Sequence, residues 1–144
     1  MPQLFSGWQV WAVLAAFFAA VTALLAKVGV EGIPSNLATF VRTVVVLGLL
    51  AAVVSVTGEW RSLPDLSRRS LNFLVLSGVA TGISWLCYFH ALQLGPVSGV
   101  APIDKLSVVL VSLLGVLWLG EHLGTLQWWG VGLMGLGAVL VALP

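Results

Sequence analysis

Residues 95–107 read Gly-Pro-Val-Ser-Gly-Val-Ala-Pro-Ile-Asp-Lys-Leu-Ser, and the apolar run that holds them continues to Leu119. About 20 apolar residues cross a bilayer as a helix, so residues 97–119 read as a transmembrane span. Inside it stand the adjacent charges Asp104 and Lys105, with Pro102 just before them. A charge in such a span costs at least about 2.5–3.5 kcal/mol on insertion scales and is kept there for a reason. A proline one turn into a helix removes a backbone donor and frees a carbonyl near the two charged side chains.

The rest of the chain agrees with a membrane reading. Hydrophobic residues make up 60% and charged residues 8%, against about 25% charged in soluble domains. The fold expected is all-α and integral to the membrane. Five transmembrane helices are placed at about 7–26, 37–56, 71–93, 97–119 and 126–143, forming one membrane domain over residues 1–144. The net charge is +1. The only clustered cations, Arg68 and Arg69 beside Arg61, are too few to suggest nucleic acid. Cys87 is the single cysteine, so no disulfide framework and no metal-spacing motif are present. Neither a metal nor a cofactor is expected.

The first span starts with Trp8 and Trp11 and ends where Lys27 appears. No Lys or Arg precedes it, and its apolar run exceeds the roughly 7–15 residues of a signal-peptide core, so it reads as a retained helix. Ala15, Ala19 and Ala23 share one helical face with Lys27, a small-residue stripe expected to pack inside the bundle. Pro34-Ser35-Asn36 gives a helix start. Arg42 lies about one and a half turns into the second span, where it either snorkels to the interface or faces an ionic partner or ligand. Residues 57–70 carry Glu59, Arg61, Asp65, Arg68 and Arg69 and form a wet connection.

In the third span Ser77, Thr81, Ser84 and Tyr88 fall on one stripe, and Gly78, Gly82 and Trp85 continue a neighbouring one. The hydroxyls either bond their own i−4 carbonyls or line a cavity. His90 stands near the end of that span. Glu121 sits in the tight connection before the last span, as a solvated carboxylate or as part of a pathway. Gly130, Gly132, Gly135, Gly137 and Ala138 make the last span a contact surface.

An odd number of spans puts the two termini on opposite sides. Arg61, Arg68 and Arg69 share the N-terminal side, and Lys27 lies on the other. The positive-inside rule therefore puts the N-terminus in the cytoplasm and the C-terminus outside. Trp8, Trp11, Trp60, Trp118, Trp128 and Trp129 then fall at the cytoplasmic boundary as an aromatic belt. Measured from the outer side, Arg42 lies about 5 residues deep and Asp104 about 7, both roughly 8–11 Å in. They are expected to be able to meet. Adjacent helical residues point about 100° apart, so Asp104 and Lys105 are not expected to neutralise each other. Polar and aromatic side chains from four spans thus converge on one level. That is the pattern of a substrate or ion pathway, with a purely structural ion-pair network as the alternative.

Residues 76–110, L-S-G-V-A-T-G-I-S-W-L-C-Y-F-H-A-L-Q-L-G-P-V-S-G-V-A-P-I-D-K-L-S-V-V-L, resemble the five-span, single-repeat branch of the EamA-type drug/metabolite transporters. The run L-G-E-H-L at 119–123, W-x-G at 128–130, Ala26-Lys27 and Phe40-Val41-Arg42-Thr43 fit the same branch. The resemblance implies a small-molecule transporter of the bacterial cytoplasmic membrane whose longer relatives are two inverted five-span repeats. The function expected is alternating-access transport of a small polar or amphipathic metabolite, and the chain is not expected to be an enzyme. No G-x-x-x-x-G-K-[ST] loop is present, so the energy would come from a gradient, H+ or Na+ included, or from the solute itself. The candidate pathway residues are Asp104, Lys105, Arg42, Trp85, Tyr88, Ser84, Thr81 and Lys27, followed by His90, Ser107 and Glu121. Five spans are half of an inverted-repeat carrier, so a homodimer or a partner half-transporter is expected. The reading from another class is a non-transporting membrane subunit or scaffold whose charges only fix helix register. An intramembrane enzyme using His90 and Asp104 stands third, for want of a nucleophile-base-orienter set.

Overall fold

The computed structural model describes residues 7–143, and every regular element among them is helical. The helices are α1 (Gly7–Gly29), α2 (Ser35–Thr57), α3 (Arg68–Leu94), α4 (Val97–Asp104), α5 (Ser107–Leu119) and α6 (Thr125–Ala142), with a 3₁₀ segment over Glu59–Asp65. With α4 and α5 counted as one span, five are long and apolar enough to cross a bilayer. The sequence expectation of an all-α membrane fold holds.

Local chemistry sets the ends. Pro34 is extended (ψ 133°) and cannot continue α1; its carbonyl accepts Ala38 N–H at 3.1 Å and so opens α2. Gly58 ends α2 in the left-handed region at φ 73°, where a side chain would be strained. Ser67 accepts the Ser70 N–H on its Oγ at 3.0 Å and opens α3. Gly120, at φ 68°, ends α5, and its own N–H and that of Glu121 both donate to the Gly115 carbonyl. Gln127 reaches back to accept the Gly124 N–H on Oε1 at 2.7 Å, opening α6.

The fourth span is not one continuous helix. Pro102 has no N–H to give the Ser98 carbonyl, and the chain beyond it tightens to i→i−3 bonds. Leu106 donates to Ile103, Val108 to Lys105 and Val109 to Leu106, each at 3.0 Å. Lys105 and Leu106 therefore stand between two helices.

The chain divides into two compact units, one of residues 29–93 and the other of residues up to 28 together with those from 94 on. In the first, which holds α2 and most of α3, Gln93 Nε2 donates to the Ile33 carbonyl at 2.6 Å and ties the end of α3 to the α1–α2 connection. In the second, α6 packs on α4 and α5. A Cβ on Gly135 would stand 3.2 Å from Val109 Cγ2, so the glycine permits this close approach.

Most apolar side chains point outward, as a lipid-facing surface requires. Between 0% and 11% of each span's apolar window is buried, and among the described residues the buried apolar side chains are Ala23, Val30, Ala38, Phe89, Leu92 and Ala138. Two packing expectations are corrected. Only Ala23 of the α1 stripe is buried, while Ala15 and Ala19 are exposed. A Cβ on Gly78, Gly82, Gly130, Gly132 or Gly137 would meet nothing within 4 Å, so α6 uses Gly135 and Ala138 rather than its whole glycine set. Small residues permit close approach without saying which helix makes it.

Candidate substrate pathway

On the unit of residues 29–93, α2 carries Arg42 to the face of α3 that presents Trp85 and Phe89. The Arg42 guanidinium carbon lies 4.1 Å from the Trp85 ring centroid and 5.6 Å from that of Phe89. Trp85 and Phe89 are four residues apart and so share one helical face. That spacing was the signal for Phe89, which the stripes drawn through Ser84 and Tyr88 pass over. Phe89 is buried, Trp85 and Tyr88 half-buried, and Tyr88 meets Phe89 edge-on at 6.4 Å between centroids. Cation–π contacts of this kind contribute about 0.5–2 kcal/mol, more as water is excluded.

The hydroxyls of this unit are largely turned inward on their own helices. Thr39 donates to the Ser35 carbonyl at 2.9 Å, Thr43 to that of Thr39 at 2.7 Å, and Thr81 to that of Ser77 at 2.9 Å. Thr81 therefore has its proton committed, while Ser84, one turn on, is exposed. His90 is exposed at the end of α3.

In the other unit, Lys27 Nζ donates to the Gly95 carbonyl at 3.0 Å, tying α1 to the connection before α4. Asp104 and Lys105 pair with each other, Nζ to Oδ2 at 3.0 Å, with side-chain exposures of 34% and 60%. This corrects the expectation that neighbours on a helix cannot neutralise one another. Lys105 lies outside both α4 and α5, and its four-carbon stem spans the angle back to Asp104. Ser107 begins α5 and is exposed. The Glu121 carboxylate folds back over Gly115, where a Cβ would come within 2.8 Å of Oε2. Gly115 thus makes room for a side chain as well as closing a turn.

Five apolar spans, a charged break in the fourth and an arginine seated on aromatics describe a membrane protein with chemistry inside its spans. Residues 6–143 match the EamA-like transporter family. The chain belongs to that family. Among curated relatives, an uncharacterized transporter in the cobO 3' region of Sinorhizobium is 53% identical over 135 residues, covering 94% of this chain and 96% of that protein. The probable 4-amino-4-deoxy-L-arabinose-phosphoundecaprenol flippase subunit ArnE of Pectobacterium atrosepticum is 33% identical over 84 residues, 57% of this chain and 74% of that protein. The pseudopaline exporter CntI of Pseudomonas aeruginosa is 27% identical over 133 residues, which are 92% of this chain and 45% of the exporter. No solved structure shows significant similarity. The chain is an integral membrane transporter of the drug/metabolite superfamily.

Proposed function

We propose that this EamA-like chain moves a small polar or amphipathic metabolite by alternating access. Transport is driven by the solute's own gradient or coupled to an ion, H+ or Na+, and the chain performs no covalent chemistry. The observation that carries the reading is Arg42, a cation within a span that rests on Trp85 rather than on a carboxylate. A charge that serves only to fix helix register is expected to have a counter-charge, whereas one that meets a solute must keep a free edge. The residues proposed to meet the solute or ion are Arg42, Trp85, Tyr88, Ser84, Thr81, Asp104, Lys105 and Lys27, followed by His90, Ser107 and Glu121. Pro102 places the Asp104–Lys105 pair at a break, the kind of discontinuity that transporters use at their binding sites.

Residues 1–144 act as one membrane domain that works in pairs, with a second copy or a partner half. Three observations support this. The chain aligns with 45% of the pseudopaline exporter; ArnE is named as a subunit; and a Cβ added at Gly78, Gly82, Gly130 or Gly132 would meet no other helix within 4 Å among the described residues. The bacterial relatives support the cytoplasmic membrane of a bacterium, and Arg61, Arg68 and Arg69 against Lys27 favour an N-terminus in and a C-terminus out. The deciding experiment is flux through purified protein in sealed vesicles, over a panel of carboxylates, phosphates, sugars and amines. Saturable uptake that vanishes when the vesicles are made leaky is expected. Well-folded protein that moves no member of the panel would favour the scaffold reading instead.

A further inference from the structure

We propose that Arg42 is the receptor for an anionic group, carboxylate or phosphate, on the transported solute. The inference rests on the transporter reading and goes beyond it by naming the substrate class.

The geometry supplies the reason. A guanidinium is planar and carries five N–H donors around its edge, arranged to meet carboxylate or phosphate two bonds at a time. The Trp85 and Phe89 rings, with centroids 4.1 Å and 5.6 Å from the guanidinium carbon, attract the cation without carrying a net charge to cancel it. Among the described residues the groups that act on the guanidinium are the Trp85 and Phe89 rings and, electrostatically, Tyr88, none of them a carboxylate. Its unit offers it no carboxylate inside a span, because Glu31, Glu59 and Asp65 all lie in connections. The one carboxylate inside a span, Asp104, is engaged by Lys105 at 3.0 Å. The hydroxyl one turn before Arg42, on Thr39, donates to its own helix. A cation in an apolar span, seated on aromatic rings and facing no carboxylate of its own unit, fits a visiting anion better than a permanent lock.

Such an anion could come from a soluble metabolite or from a phospholipid head group, and two preparations separate these. The full chain in non-ionic detergent is titrated with inorganic phosphate and with succinate, following thermal unfolding and equilibrium binding. Sorbitol, putrescine and sodium chloride at matched ionic strength serve as controls. In parallel, nanodiscs of phosphatidylcholine are compared with nanodiscs containing phosphatidylglycerol. The expected result is saturable stabilisation by phosphate or succinate in detergent, absent with the controls. Arg42→Gln should weaken that affinity by at least about 10-fold, and Arg42→Lys by less, since it keeps charge but not the planar fork.

The proposal is overturned by anion binding that Arg42→Gln leaves unchanged, by an equal effect of sodium chloride, or by no saturable anion binding up to about 10 mM, well above usual metabolite affinities. An Arg42-dependent effect of phosphatidylglycerol alone also overturns it, assigning the site to lipid. Sealed vesicles keep the two readings apart. Flux of a neutral or cationic solute that Arg42→Gln does not alter removes the receptor and keeps the transporter. Arg42-dependent binding of succinate or phosphate with no flux of any solute keeps the receptor and removes the transporter.

Discussion

In the unit holding α2 and most of α3, the cation inside the span, Arg42, rests on Trp85 at 4.1 Å, and the unit's own carboxylates all lie outside its spans. In the unit holding α4, α5 and α6, Lys105 stands 3.0 Å from Asp104 and the two charges cancel. The first arrangement holds a charge in place without neutralising it, because an aromatic face attracts a cation but carries no net charge. The second neutralises charge at a break where helix geometry is already relaxed. A protein that used its intramembrane charges only as fasteners would treat both cations alike. The difference marks Arg42 as the group with electrostatic capacity to spare and the Asp104–Lys105 pair as self-contained unless something opens it.

The largest effect expected from breaking this contrast is at the pair. Asp104→Asn leaves Lys105 uncompensated and should cost about 2 kcal/mol, less than the roughly 3–5 kcal/mol of a fully buried pair because both side chains are partly exposed. Adding Lys105→Gln should restore most of that stability in thermal unfolding. Rescue by Arg42→Gln instead would mean that Asp104 serves the arginine, and the contrast between the units would fail. A smaller effect is expected at the aromatic seat, where Trp85→Leu should cost about 1–1.5 kcal/mol in wild-type protein and clearly less in an Arg42→Gln background. Equal losses in the two backgrounds would show that Trp85 matters only for packing. The smallest is Gln93→Ala, which removes the 2.6 Å bond to the Ile33 carbonyl and should lower stability by about 0.5–1 kcal/mol. Hydrogen exchange after that change should rise first in the α1–α2 connection, and unchanged exchange there would refute the tie.

The five spans were legible because bilayer thickness imposes a length of apolar sequence that composition alone reveals. Pro102 also gave away the weak point of the fourth span, since its missing donor acts locally. The Asp104–Lys105 contact was not legible: the 100° argument assumes an unbroken helix and a rigid side chain, and the structure has neither at Lys105. Nor was the Arg42–Trp85 contact written in any periodicity. The two residues are 43 positions apart, and matching depth fixes only a level in the membrane, whereas the azimuth of each helix decides which side chains touch. Gly78 and Gly82 show the same limit. Their spacing permits helix contact, yet a Cβ built on either would meet no other helix within 4 Å among the described residues.

The central claim is that the polar groups of these spans border a water-accessible path instead of merely locking helices. A test independent of substrate identity is the reactivity of single cysteines toward a hydrophilic, membrane-impermeant maleimide, in a Cys87→Ser background. Cysteine at Ser84 or Ser107 should react at least about 10-fold faster than cysteine at the exposed apolar neighbours Leu86 or Val108, because thiolates form and react in water but not in hydrocarbon. Uniformly slow labelling at all four positions in folded, membrane-embedded protein would contradict the account and make the charges structural.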